Sequence, residues 1–312
     1  MFIPVLMLVI GGYLLVRGAD LLIDGGVGIA LKSGVSHLVV GLTVVAFGTS
    51  APELTVSLTA AIKGSGDICF GNVVGSNITN IALIVGLSAL VQPITVNRQL
   101  FRWELPFLIF ISALTCYVGY SMNVGRVIGI IFCALFTWYI IHCMKSPAAE
   151  SPVDDEKAGK RTSVLIFIVG LGVIGLGAGG MIFVNGAREI ARMLGVSEAI
   201  IGLTVVALGT SLPELVTSVL ASYRGHSDIS LGNIVGSNIF NVLFVIGVTA
   251  IISPFSISSD RYLTVVGLPL MFVLAVILMP FARSGRKISR IEGGIFLAVY
   301  IGSLVLAVMM AK

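Results

Sequence analysis

The amino-acid sequence predicts an all-α membrane protein of ten transmembrane helices, arranged as two inverted five-helix repeats with broken helices at a central site. Three observations carry that prediction. The 312-residue chain is 57% hydrophobic and 11% charged, with a mean hydropathy of +1.07, which sets it apart from soluble globular domains. A 50-residue stretch recurs later in the chain without a gap. Within each copy an apolar run is interrupted by Gly-Thr-Ser and a proline, next to a glutamate.

The spans come first. A bilayer core takes about 20 apolar residues per helix, and that length is met at 2–23, 38–62, 68–91, 104–121, 124–143, 163–184, 199–222, 229–252, 262–281 and 291–310. The Pro-, Ser- and charge-rich insert from Lys145 to Arg161 reads as a solvated linker. It divides the chain into a first repeat (1–143), a linker (144–162) and a second repeat (163–312). Thirteen of the 19 Lys and Arg lie in or beside the loops that follow odd-numbered spans. By the positive-inside rule these loops and the linker are cytoplasmic and both termini are outside. The N-terminus has no basic n-region or cleavage site before its first apolar run, so no removable signal peptide is expected.

Composition also excludes. A net charge of +4, with basic residues scattered between apolar runs, gives no nucleic-acid-binding face. Cys69, Cys116, Cys133 and Cys143 have no CxxC spacing and read as reduced, small hydrophobes. The string "GLGAGG" at 175–180 matches a dinucleotide fingerprint but sits in an apolar span with no strand before it. His37, His142 and His226 fall at or near loops and receive no role. Asp20 and Asp24, whose counterparts are Met181 and Asn185, read as interfacial charges.

The duplication organises the rest. Residues 41–90 return as residues 202–251, with 27 of the 50 positions identical at a constant offset of 161. Five spans is an odd number, so the second copy crosses the membrane in the opposite sense. Inverted repeats point to a secondary transporter, with its site near midplane where the copies meet.

In the first copy Pro52 lacks a helical donor and disfavours helix at Ala51, and Gly48 lies just before it, so the helix is expected to break at Gly48-Thr49-Ser50 and restart at Pro52. Such a break is tolerated at that depth only where it lines a cavity or is covered by protein. The carbonyls of Ala46 and Thr49 would then be free for a cation, and Glu53 would sit in the first turn, where the helix dipole favours its charge. Ala207, Thr210, Pro213 and Glu214 repeat the pattern. In the next span Asn72, Ser76 and Asn80 share one helix face beside Gly71 and Gly75, two residues that permit close helix approach. Asn233, Ser237 and Asn241 do the same beside Gly232 and Gly236.

Residues 42–60, 71–90, 203–222 and 232–251 hold two acids, Glu53 and Glu214, and no Lys, Arg or His. A midmembrane charge costs at least about 2.5 to 3.5 kcal/mol, so protons or bound cations must neutralise the pair. The donors on offer are hard oxygens, suited to Ca2+, Na+ or Mg2+. An intramembrane serine hydrolase using Ser50 or Ser211 is disfavoured, because there is no GxSxG elbow, no HExxH and no nearby His. The chain is therefore not expected to be an enzyme.

"GTSAPE" with "GNVVGSNITN", and "GTSLPE" with "GNIVGSNIFN", resemble the paired alpha-repeats of the cation/calcium exchanger superfamily, specifically its prokaryotic sodium/calcium exchanger type. The resemblance implies an antiporter in which Glu53 and Glu214 bind Ca2+ and Na+ alternately. Thr49, Ser50, Thr210, Ser211, Ser76, Asn80, Ser237, Asn241 and the carbonyls of Ala46 and Ala207 would assist. It further implies no cofactor, no obligatory protein partner and a prokaryotic plasma (inner) membrane. A proton/calcium exchanger on the same fold is the alternative. One departure stands out: where potassium-dependent members, and some prokaryotic ones, carry Asp at the end of the second motif, this chain has Asn241, which argues against potassium co-transport and leaves two acids at the centre.

Overall fold

The structure, a computed structural model, describes residues 2–145, 161–195, 207–257 and 262–310. Among these, eight helices are long and apolar enough to cross a membrane, and a bent pair makes a ninth span. The seventh predicted span, 199–222, begins outside the described residues.

The chain opens with α1 (Phe2–Ser33), whose counterpart later in the chain is α7 (Thr162–Met193). Both run 32 residues, beyond the expected 23 and 184, because an apolar count stops at charges whereas the helix continues through them. At about 1.5 Å per residue each is near 48 Å long, well over a bilayer core. They lie against one another along glycines. A Cβ on Gly18 would stand 2.7 Å from the Leu176 nitrogen, and one on Gly172 2.7 Å from the Leu22 nitrogen.

Asp20 and Asp24, expected as interfacial charges, are ion-paired. Arg224 Nη2 lies 2.5 Å from Asp20 Oδ1, and Arg224 Nη1 lies 3.8 Å from Asp24 Oδ1. Arg17 flanks Asp20 at 3.5 Å. Arg224 caps a helix C-terminus, where its charge also meets the negative end of the dipole.

The interrupted span forms α2 (His37–Thr49) and α3 (Ala51–Ile62), bent by 47°. Ser36 caps α2 by accepting the Val39 N–H at 3.2 Å. The hinge is Ser50, at φ −87° and ψ 8°, and Pro52 sits in the first turn of α3, where its missing N–H costs nothing. Further along the chain, α8 (Ala207–Thr210) and α9 (Leu212–Tyr223) repeat the break at Ser211 with φ −87° and ψ 6°.

At the centre are α4 (Gly66–Val91) and α10 (Ser227–Ile252), with most of their residues buried inside the protein. Each widens into a π-type turn, over Thr79–Val85 and Asn241–Val245 respectively. Around them stand α5 (Leu100–Ser121), α6 (Arg126–Lys145), α11 (Leu263–Arg286) and α12 (Arg290–Met310).

Two short antiparallel ladders tie the loops. β1 (Ile94–Thr95) pairs with β4 (Lys287–Ile288), and β2 (Asn123–Val124) pairs with β3 (Phe255–Ser256). The alternation in these two-residue pieces is too short to read as strand, so the all-α expectation missed them. Each ladder joins loops of equal parity, those after predicted spans 3 and 9 and those after 4 and 8. The cysteines are free, with Cys69 and Cys143 buried.

Candidate cation site

The two hinges bring the glutamates to one place by exchanging hydroxyls between the copies. Ser50 Oγ donates to Glu214 Oε1 at 2.7 Å, and Ser211 Oγ donates to Glu53 Oε1 at 3.3 Å. Thr210 lies beside Glu53, and Thr49 and Ser237 lie beside Glu214. The two carboxylates are near enough for each to feel the other's charge. Both are fully buried.

Sequence reasoning expects a free Ala46 carbonyl, and the structure corrects this. The Ala46 oxygen accepts the Ser50 N–H at 3.0 Å, an ordinary helical bond, and lies 3.3 Å from Thr49 Oγ1, whose single proton is shared between this oxygen and Asn233 Oδ1. The break falls one turn later than a free Ala46 carbonyl would need. Only a lone pair left over from these bonds can face an ion. Its counterpart Ala207 starts α8 at the edge of the described residues.

The polar stripes divide by role. Asn72 Nδ2 donates to Ser57 Oγ at 2.9 Å and to the Glu53 carbonyl at 3.3 Å, bracing α4 on α3. Asn233 Nδ2 donates to Ser218 Oγ at 2.9 Å, and its Oδ1 accepts the Thr49 hydroxyl at 3.1 Å. Thr49 Oγ1 is also 3.4 Å from Ser237 Oγ. Ser76 is buried and borders a cavity of about 390 Å³ between α4, α11 and α12. Gly71 and Gly75 line that same cavity, whereas a Cβ on Gly232 or Gly236 would lie within 3 Å of α2 backbone. The helix approach expected of all four glycines is therefore found at the second pair. A second cavity, of about 600 Å³, adjoins both breaks at Gly48, Pro52, Thr210 and Pro213.

Asn77 and Asn238 escaped the sequence reading. Asn80 Nδ2 donates to Asn238 Oδ1 at 3.0 Å, and Asn241 Nδ2 donates to Asn77 Oδ1 at 3.2 Å. Both are invariant between the copies, a signal that was present and unused.

Five oxygens at this centre are buried with no hydrogen-bond partner among the described residues: the hydroxyl of Thr210 and four pure acceptors, Glu53 Oε2, Glu214 Oε2, Asn80 Oδ1 and Asn241 Oδ1. A buried acceptor without a donor is costly, and a cation supplies what they lack. No cluster of three or more His, Cys, Asp or Glu exists among the described residues. The set is thus two carboxylates with neutral oxygens, chemistry for a hard cation rather than for zinc or copper.

Comparison with known proteins agrees. The family model described as "Sodium/calcium exchanger protein" matches residues 3–145 and 162–309. The chain belongs to the sodium/calcium exchanger family. Among its relatives is the sodium/calcium exchanger MaX1 of Methanosarcina acetivorans, 30% identical over 96% of this chain and 97% of that protein. Another is the inner membrane protein YrbG of Escherichia coli (strain K12), 33% identical over 95% of each. The solved sodium-calcium exchanger NCX_Mj is similar in fold, with a TM-score of 0.85 at 32% identity over 97% of this chain and 98% of that one. As a member of this family the exchanger is an integral membrane transporter of cations, calcium among them, and not an enzyme.

Proposed function

We propose that this exchanger is a secondary-active antiporter that moves Ca2+ against Na+ by alternating access, with Glu53 and Glu214 as the charged ligands. The hydroxyls of Thr49, Ser50, Thr210, Ser211, Ser76 and Ser237, the amide oxygens of Asn80 and Asn241 and the carbonyls of Ala46 and Ala207 complete the site. The supporting observation is the reciprocal Ser50–Glu214 and Ser211–Glu53 pairing, which makes one centre from two copies and leaves its remaining oxygens unpartnered. The ten-span count and the inverted relation of the repeats belong to this reading, as do their limits at 1–143 and 163–312.

Two carboxylates balance one Ca2+, and the same oxygens can hold several smaller ions in its place. Sodium is preferred to protons because the core segments carry no His to titrate near neutral pH. Asn241, an amide where a third acid would serve potassium or protons, points the same way. The expected result is that an outward Na+ gradient drives 45Ca uptake into proteoliposomes with no requirement for K+. Uptake driven equally well by a pH gradient alone would replace sodium with protons as the counter-ion.

The exchanger is placed in a prokaryotic plasma membrane with both termini outside. A cysteine introduced at Ala158, in the linker outside the described residues, is expected to be shielded from an impermeant thiol reagent in intact cells. Ready labelling from outside would reverse the orientation.

A further inference from the structure

We infer that Asn77 and Asn238 are positioning residues that aim the amide oxygens of Asn241 and Asn80 at the transported cation. This inference rests on the cation-site reading above and adds residues to it. An asparagine side chain has an oxygen on one side and an N–H2 on the other, and rotating it by half a turn exchanges them. Toward a cation the two faces are opposites, attractive in one case and repulsive in the other. A buried Asn ligand is useful only if something fixes which face it presents.

The structure supplies that constraint twice, each time across the repeat boundary. Asn238, on α10, accepts the N–H2 of Asn80, on α4, at 3.0 Å. Asn77, on α4, accepts the N–H2 of Asn241, on α10, at 3.2 Å. With their donors engaged, Asn80 Oδ1 and Asn241 Oδ1 point elsewhere, and both are buried without a donor. Asn77 is anchored in turn, because its own Nδ2 donates to the Asn238 backbone carbonyl at 3.3 Å. All four side chains are essentially inaccessible to solvent, so water cannot substitute for the missing partner. Partners that orient a metal ligand are commonly worth about 10- to 100-fold in metal affinity.

The Asn238 arm gives a clean test, since Asn238 Nδ2 has no partner among the described residues. Asn238→Leu, close in shape, removes one buried unpartnered donor, Asn238 Nδ2, and leaves another, Asn80 Nδ2, in its place, so the balance of unpaired buried groups is unchanged and stability is expected to shift little. Ca2+ affinity of the purified exchanger is measured by calorimetry for wild type, Asn238→Leu, Asn80→Ala and the double variant, with melting temperatures recorded in chelator. Asn238→Leu is expected to weaken Ca2+ binding by about ten-fold or more while the calcium-free melting temperature stays unchanged. Because Asn238 acts through Asn80, the double variant is expected to bind no worse than Asn80→Ala. Affinity within two-fold of wild type for Asn238→Leu, or losses that simply add in the double variant, would overturn the assignment. A wild type that binds no Ca2+ would instead sink the cation-site reading, and this inference with it.

Discussion

Glu53→Gln and Glu214→Gln are each expected to abolish calcium exchange in proteoliposomes while the protein stays folded and inserted. Glutamine has the size of glutamate and keeps an oxygen to accept from Ser211 or Ser50, so the hinge contacts at 3.3 and 2.7 Å survive. What disappears is one of two negative charges. At an effective dielectric near 20, a unit pair about 4 Å apart interacts by about 4 kcal/mol, close to three decades in affinity. Among the described residues no third acid clusters with this pair to compensate. Flux should therefore fall below detection, with the calcium-free melting temperature little changed. Transport above about a tenth of wild type in either variant would mean that the charged ligands lie elsewhere.

Gly236→Ala is the second large effect. The Cβ it introduces would stand 2.6 Å from the Leu42 carbonyl oxygen, 2.7 Å from Leu42 Cα and 2.9 Å from Ala46 Cβ. These are backbone and stem atoms that cannot swing aside, so α10 and α2 must separate by several tenths of an ångström or more. Overpacking of this kind costs about 1 to 3 kcal/mol. The displaced helices carry Ser237 and Thr49, which meet at 3.4 Å, so transport suffers more than folding. The expected outcome is at least a ten-fold loss of flux with a melting temperature lower by several degrees, roughly 2–4 °C per kcal/mol for a mid-sized domain. Gly170→Ala, with nothing near its added Cβ, serves as the control and should match wild type. A Gly236→Ala variant as active as that control would show that the contact between α2 and α10 is not critical.

What could be read from the sequence was what composition and repetition encode. Spans follow from apolar run length, and the hinges at Ser50 and Ser211 follow from prolines two residues later. The acids stood out because nothing basic accompanies them. Other features depend on neighbours distant in sequence. The pairing of Asp20 and Asp24 with Arg224 needs α1 and α9 side by side, which no local pattern announces. Nor does a pattern reveal the π-type turns beginning at Thr79 and Asn241, since their apolar spacing is compatible with ordinary helix. Asn77 and Asn238 were hidden by the assumption of a single stripe at four-residue spacing, since each lies one residue past its serine, Ser76 or Ser237. The Ala46 carbonyl was misjudged because Pro52 frees the carbonyl its own nitrogen would have served, that of Gly48, whereas Ala46, two residues earlier, still receives the Ser50 N–H.

On the proposed antiport cycle, the absence of Lys, Arg and His from the four core segments that carry Glu53 and Glu214 would also govern how tightly the two fluxes are held together. An emptied site with both acids ionised is a bare double charge. Moving it through a conformation sealed from water on both sides would leave that charge uncompensated in a low-dielectric interior. On that reading the vacant carrier would be kept from turning around, whereas the loaded one would turn freely. Slippage, in which a gradient is dissipated without moving calcium, would be suppressed by the same bare carboxylates proposed to attract the ion.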